Sequence, residues 1–333
     1  MGENSLYNES DEVNRRIILA NLIKGAYSLE LHHHRIYQEE EKLESWWTKF
    51  GFEHVSNLED GGSYYGAIFK NNYTYIPRMS SPNPPEFIIA FRGTIIEPKG
   101  LISKDLSHNW KFVRHKLHRS PRVLKAFDTV LRIVELARRP QNVWLTGHSL
   151  GAAISLAVGR KLVIEKDLKL ETFLFNPPIV SSPFEFSKFV NFFIKTTVHA
   201  TISMVHESKK TLEIGERFNK LSSWAPHLFI NKNDPICNGF ISYFENRDMM
   251  MAWMGAGSAK KMVYKCSLIG LIGKGIRRDW EPIHLLPSAI LTITSRYHSP
   301  LDLFKAHEIV AWMEKDLLWD KKKYEFNEIN HSI

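Results

Sequence analysis

Gly147-His148-Ser149-Leu150-Gly151 places a serine between two glycines, each two positions away. That spacing suits a hydroxyl carried on a tight strand-to-helix turn, where only small neighbours let strand and helix approach each other. The hydroxyl of a serine is a weak nucleophile at neutral pH, so a base must take its proton during attack. A carboxylate must then hold the imidazole in one tautomer and stabilise the imidazolium that forms. Asp234 in Asn233-Asp234-Pro235 and His307 in Ala306-His307-Glu308 supply those residue types downstream. His284 and His298 compete with His307 for the base; Asp234 before a proline could simply shape a turn, but its order and placement favour the catalytic role. A tetrahedral intermediate also needs N–H donors for its oxyanion. The N–H of Leu150, opening the helix after the serine, is one candidate, and Thr94 after Phe91 is the other. His148 adjoins the serine, but neighbouring side chains at a sharp turn point apart, so it reads as structural.

Such groups must be positioned by elements, and the elements are legible. Val143-Trp144-Leu145 suits a short buried strand, and Ile154, Leu156, Ala157, Val158 and Leu162 give an apolar helix after the turn. Glu86 to Phe91 is a continuous apolar run, as in a strand buried on both faces, and ends in Arg92-Gly93-Thr94. Further strands are expected at 171–175, 227–231 and 289–294. Gly66–Phe69 and Tyr73–Ile76 around Lys70-Asn71-Asn72 read as a hairpin. Helices are expected over Val13–Leu31, Arg122–Arg138 (Leu124, Phe127, Val130, Leu131 and Val134 inward) and Leu301–Leu318. Strands alternating with helices predict an α/β fold with a mostly parallel central sheet and helices on both faces. Ser149, Asp234 and His307 then follow strands at the carboxyl edge, in the order of α/β-hydrolases.

The bulk properties agree with a large core. The chain has 333 residues and 44% apolar residues, with a net charge of +8. The charge suits an anionic surface such as phospholipid, and no nucleic-acid motif is present. Two cysteines, Cys237 and Cys266, make no disulfide framework and no zinc pattern, which points to a reducing compartment. The first residues hold no apolar signal core and no run long enough to span a bilayer, so a cytoplasmic location, with possible contact to membrane surfaces, is expected. His32-His33-His34 reads as a solvated helix end rather than a metal site. One domain is expected over 13–320, with a flexible tail over 1–12, helical insertions near 183–225 and 239–283, and a polar tail over 321–333. The first insertion carries a stripe of Phe184, Phe186, Phe189, Phe192 and Phe193, read as core. The second sets Met249-Met250-Met251 beside a run of lysines and arginines.

Phe91-Arg92-Gly93-Thr94, Thr146 to Ala153 and Asn233-Asp234-Pro235 together resemble the class 3 lipases, α/β-hydrolases related to fungal triacylglycerol lipases. Phe175-Asn176-Pro177-Pro178 and Ala306-His307-Glu308-Ile309 resemble a plant subgroup of lipase-like proteins, with Asn176 where the family usually has glycine. The match covers roughly 85–180 and 225–315. It implies a serine esterase or lipase acting on acyl-lipid esters without a cofactor or metal. It implies Ser149 as nucleophile, Asp234 as acid and His307 as base, with Thr94 and Leu150 forming the oxyanion hole. The segment 95–118 is the expected lid. Two other functions share this fold: a non-catalytic lipid-binding or signalling protein, and an acyltransferase on the same triad.

Overall fold

Two strands that are buried at every position form the middle of the molecule: β3 (Phe87–Phe91) and β4 (Val143–His148). β3 is apolar along its whole length and β4 over Val143–Leu145, because both faces of the sheet are covered. The structure is a computed structural model that describes residues 3–34, 46–72, 84–95, 120–179, 216–254, 286–297 and 303–326. Among the described residues the sheet has eight strands ordered as in the sequence, completed by β1 (Phe52–Asp60), β2 (Ser63–Asn71), β5 (Glu171–Phe175), β6 (His227–Asn231), β7 (Ala289–Thr294) and β8 (Asp320–Tyr324). Strands β3 to β7 run parallel, while β1, β2 and β8 close the edges in antiparallel pairings. This is the mostly parallel α/β-hydrolase architecture expected from the alternation of strands and helices.

The helices α1 (Glu3–His33), α2 (Pro121–Ala137), α3 (Leu150–Lys166) and α4 (Gly239–Met254) cover the two faces. On one face α1 buries Ile18, Leu19, Leu22, Ile23 and Ala26 against Ile88, Ala90, Trp144, Phe173 and Phe229. On the other, α2, α3 and α4 share a core with Ile89, Phe91, Leu145, Leu174 and Ile230. Ser120 caps α2 by accepting the Val123 N–H at 3.2 Å, and Pro121 occupies its first turn, where its missing N–H costs nothing.

Several boundaries differ from those expected, each for a physical reason. The segment read as a tail over 1–12 is helical from Glu3, because nothing between Glu3 and Val13 is a glycine or proline that would break α1. The hairpin turns at Gly61-Gly62, both at positive φ (61° and 76°), and joins β1 to β2; Lys70 and Asn71 continue β2. Strand β1 is an edge whose residues are mostly exposed or half-buried, so its apolar alternation is weak; residues 73–76 lie outside the described residues. The polar tail over 321–333 begins as strand β8, whose lysines sit on the exposed sheet edge, where charge discourages further pairing. The helix expected over 301–318 is instead the short α5 (Leu303–His307), a break at Glu308 (ψ 141°), and a 3-10 turn over Ile309–Met313. Leu124, expected inward, is 44% exposed, and Val123 and Ala126 take the buried positions.

The insertion near 239–283 opens with α4, whose Phe240, Tyr243 and Phe244 are core. Near 183–225 only residues from 216 onward are described; there Phe218, Leu221 and Trp224 are buried. The phenylalanine stripe, the segment 96–119, Cys266, His284 and His298 lie outside the described residues.

Candidate active site

Ser149 sits between β4 and α3 with φ 55° and ψ −123°, a conformation that costs energy for a residue with a Cβ and is held by its surroundings. Its N–H donates to the Phe175 carbonyl at 3.0 Å, and its own carbonyl accepts the Ala153 N–H at 3.1 Å. The flanking glycines are sterically required. A Cβ on Gly147 would fall 2.4 Å from the Gly151 carbonyl oxygen, and one on Gly151 would fall 2.3 Å from the Phe91 carbonyl oxygen. Small residues at both places let α3 begin directly against the ends of β3 and β4.

Asp234 follows β6 and is fully buried. Both readings of this residue apply, because its two oxygens do different things. Oδ1 accepts the Ile236 N–H at 2.9 Å and shapes the turn, whereas Oδ2 faces Nδ1 of His307 at 2.7 Å. On the other side of the ring, Nε2 of His307 lies 2.9 Å from Oγ of Ser149. Three residues far apart in sequence are thus joined in one line, serine to imidazole to carboxylate. Such a line can move a proton from a hydroxyl to an imidazole while a carboxylate steadies the charge.

The main chain beneath His307 is held as well. Its carbonyl accepts from Nδ2 of Asn176 at 2.9 Å and from Nε2 of His148 at 2.7 Å. Asn176 also donates to the Ala306 carbonyl at 3.1 Å, and its Oδ1 accepts the indole N–H of Trp312 at 3.1 Å. Asn176 has φ 44°, a left-handed conformation that asparagine tolerates better than most residues with a side chain. It therefore takes the backbone shape of a glycine and adds an amide that grips the His307 segment.

On the opposite side, the loop after β3 is tied to α1. Arg92 is buried; its guanidinium donates to the Tyr64 carbonyl at 2.5 Å, the Gly93 carbonyl at 2.6 Å and the Glu30 carboxylate at 2.7 Å. Burial pushes the Glu30 carboxyl up, but hydrogen bonds from Ser63 and the Tyr64 N–H, with the charge of Arg92, outweigh it and hold the group below its ordinary value. The Gly93 N–H donates to the Tyr27 hydroxyl at 2.7 Å. A Cβ on Gly93 would lie 2.9 Å from that of Ser149, so this loop passes directly over the serine. Thr94, next along, is exposed, and Leu150 is half-buried at the start of α3, among the amides that a helix leaves without internal acceptors.

The contacts of Tyr27, Asn176, Cys237 and His148 around the site are not legible in the sequence. Asn176 was visible as a departure from the family motif, but no spacing signal links Tyr27 to residues more than sixty positions away. Among the described residues no group of three or more His, Cys, Asp or Glu could hold a metal ion. His33 stacks on Tyr64 at 4.1 Å, and His34 faces Glu30 at 3.4 Å. No described helix is long and apolar enough to cross a membrane.

The chain is a lipase-like hydrolase of the α/β-hydrolase fold, a carboxylic ester hydrolase. It is 30% identical over 340 residues to the GDSL esterase/lipase of Arabidopsis thaliana, with 95% of this chain and 93% of that protein aligned, and it belongs to the family of that esterase/lipase. No protein-family model matches the chain. A GDSL esterase is a different family from the class 3 lipases, so that resemblance holds at the level of a lipase-like hydrolase. The chain itself reads Gly147-His148-Ser149-Leu150, with histidine where the name has aspartate. Among solved structures, a lipase from Rhizopus microsporus var. chinensis is 13% identical over 66% of this chain and 68% of its own. An arylesterase is 14% identical over 78% of this chain and 98% of its own. Both have a TM-score of 0.31.

Proposed function

We propose that this chain hydrolyses carboxylic esters of acyl lipids through Ser149, His307 and Asp234, in the manner of a class 3 lipase. His307 takes the Ser149 proton on Nε2 as Oγ attacks the ester carbonyl. Asp234 holds Nδ1–H and balances the imidazolium. The oxyanion is met by the N–H groups of Leu150 and Thr94. Collapse releases the alcohol, which takes the proton from His307, and leaves an acyl group on Ser149. Water, deprotonated by His307, then frees the acid. The observation that carries this reading is the single imidazole between Ser149 Oγ at 2.9 Å and Asp234 Oδ2 at 2.7 Å. The net charge of +8 suits work at an anionic lipid surface facing the cytoplasm.

The test is labelling with a fluorophosphonate, with Ser149→Ala as control, followed by p-nitrophenyl esters of rising acyl length. The expected result is stoichiometric labelling at residue 149 and turnover that Ser149→Ala loses by about a thousandfold or more. Equal turnover by wild type and Ser149→Ala would overturn the serine mechanism. Rates that fall steadily with acyl length would overturn the acyl-lipid substrate.

A further inference from the structure

His148 and Tyr27 lie outside the proton path, yet together they bridge its two sides. Nε2 of His148 is 2.7 Å from the His307 carbonyl oxygen, and its Nδ1 is 2.9 Å from the Tyr27 hydroxyl. A carbonyl only accepts, so Nε2 carries the hydrogen. In a neutral ring Nδ1 is then the acceptor, and Tyr27 donates to it. The same hydroxyl accepts the Gly93 N–H at 2.7 Å. Every hydrogen in this chain has one direction: Gly93 N–H to Tyr27, Tyr27 O–H to His148, His148 N–H to His307. Burial, then the neighbouring His307, holds the His148 pKa down to about 3, so the ring stays neutral and the directions stay fixed.

We propose that Tyr27 and His148 are positioning residues that fix the oxyanion loop and the general base relative to each other, by one hydrogen-bonded strut from Gly93 to the main chain of His307. The inference rests on the serine mechanism above. Tyr27 is placed by α1, a helix of 31 residues packed across the sheet, so the strut is anchored in the core rather than in a loop. The Gly93 N–H is committed to Tyr27, which leaves the next amide, that of Thr94, as the loop's donor toward the oxyanion. A catalytic group must sit within about half an ångström of its productive position. The base and the oxyanion donors act chiefly in the transition state, so losing the strut lowers kcat and leaves ground-state binding alone.

The experiment compares Tyr27→Phe, His148→Leu, His148→Gln and the double variant Tyr27→Phe/His148→Leu on a p-nitrophenyl ester. Circular dichroism and thermal melting report the folded fraction. Glutamine carries a donor and an acceptor on one planar group and can span the same two partners. The strut predicts that Tyr27→Phe and His148→Leu each lower kcat by about tenfold or more with KM within about twofold. It predicts that His148→Gln restores most of the loss, and that the double variant is no worse than the worse single one. An unchanged kcat in Tyr27→Phe, a loss explained by the unfolded fraction, losses that multiply in the double variant, or a His148→Gln as impaired as His148→Leu would each overturn it. An inactive Ser149→Ala beside an unimpaired Tyr27→Phe sinks this inference alone, whereas a fully active Ser149→Ala removes the serine mechanism and the strut with it.

Discussion

Sγ of Cys237 lies 3.1 Å from Oδ2 of Asp234, the carboxylate oxygen that also faces Nδ1 of His307. Burial, then the Asp234 charge, pushes the thiol pKa well up, so it remains an S–H donor. The thiol thus helps to satisfy a carboxylate that has no access to water. Cys237→Ala should lower kcat/KM by about two- to tenfold, the cost of one weak donor to a charged acceptor. Cys237→Ser, which keeps a donor, should stay within about threefold of wild type. Steady-state kinetics on folded protein decides it: an alanine variant as active as wild type would show that the thiol only fills space.

The same thiol should also be inert. A protonated, fully buried sulfur offers no thiolate to an alkylating reagent. Iodoacetamide should leave residue 237 unmodified in the native protein and label it fully after unfolding in urea. Mass spectrometry of the peptide containing residue 237 reads the outcome, and rapid native labelling would contradict the burial.

Asp234→Asn separates the two jobs of that side chain. An amide oxygen can still accept the Ile236 N–H and keep the turn, but it cannot hold His307 in the tautomer that leaves Nε2 free to take a proton. The variant should melt close to wild type and lose about three to four orders of magnitude in kcat. A fall of less than tenfold would remove Asp234 from the proposed mechanism.

Why these partners were hard to foresee is a matter of which constraints are local. Ser149 was legible because Gly147 and Gly151 are demanded by contacts within a few residues of it, and the strand and helix around them are strongly apolar. Asp234 and His307 were legible through their order and their placement after strands. Tyr27 was not, because its role depends on α1 crossing the sheet, and a tyrosine on an apolar helix face looks like core. His148 was read as structural from local geometry, which does point it away from Ser149; the destination of its ring depends on where α5 ends. Strands β1 and β8 were missed or taken for a tail because edge strands need not alternate, and β8 displays its lysines to solvent. The hairpin turns at Gly61-Gly62, one strand earlier than the polar Lys70-Asn71-Asn72 suggests.

The buried pair Glu30–Arg92 predicts a stability effect that reaches the site. Both side chains are under a tenth exposed. Glu30→Ala would leave the guanidinium buried without its carboxylate, at a cost of about 3–5 kcal/mol. Glu30→Gln keeps acceptors for Ser63 and Tyr64 and should cost less. Urea unfolding monitored by tryptophan fluorescence measures both. A Glu30→Ala variant within about 1 kcal/mol of wild type would mean that Arg92 finds other partners or solvent.

Acid should unfold this protein through histidine as well as carboxylate. Burial holds His148 neutral, with its pKa down from 6.5 to about 3, while the unfolded chain binds a proton at the ordinary value. Between those limits the unfolded state carries the extra proton, so stability falls as pH drops, by up to about 1.4 kcal/mol per pH unit for this one group. His227, lowered chiefly by burial, has the same sign. Glu30 adds to it, because a carboxylate held below its ordinary value contributes stability that is present above that value and lost as pH falls through its folded pKa. His148→Gln removes one of these titrations and should make the decline between about pH 6 and pH 4 shallower by up to one proton, whatever it does to stability at pH 7. Urea titrations at half-unit pH steps give the slope directly, and a slope equal to that of wild type would show that His148 is protonated in the folded state.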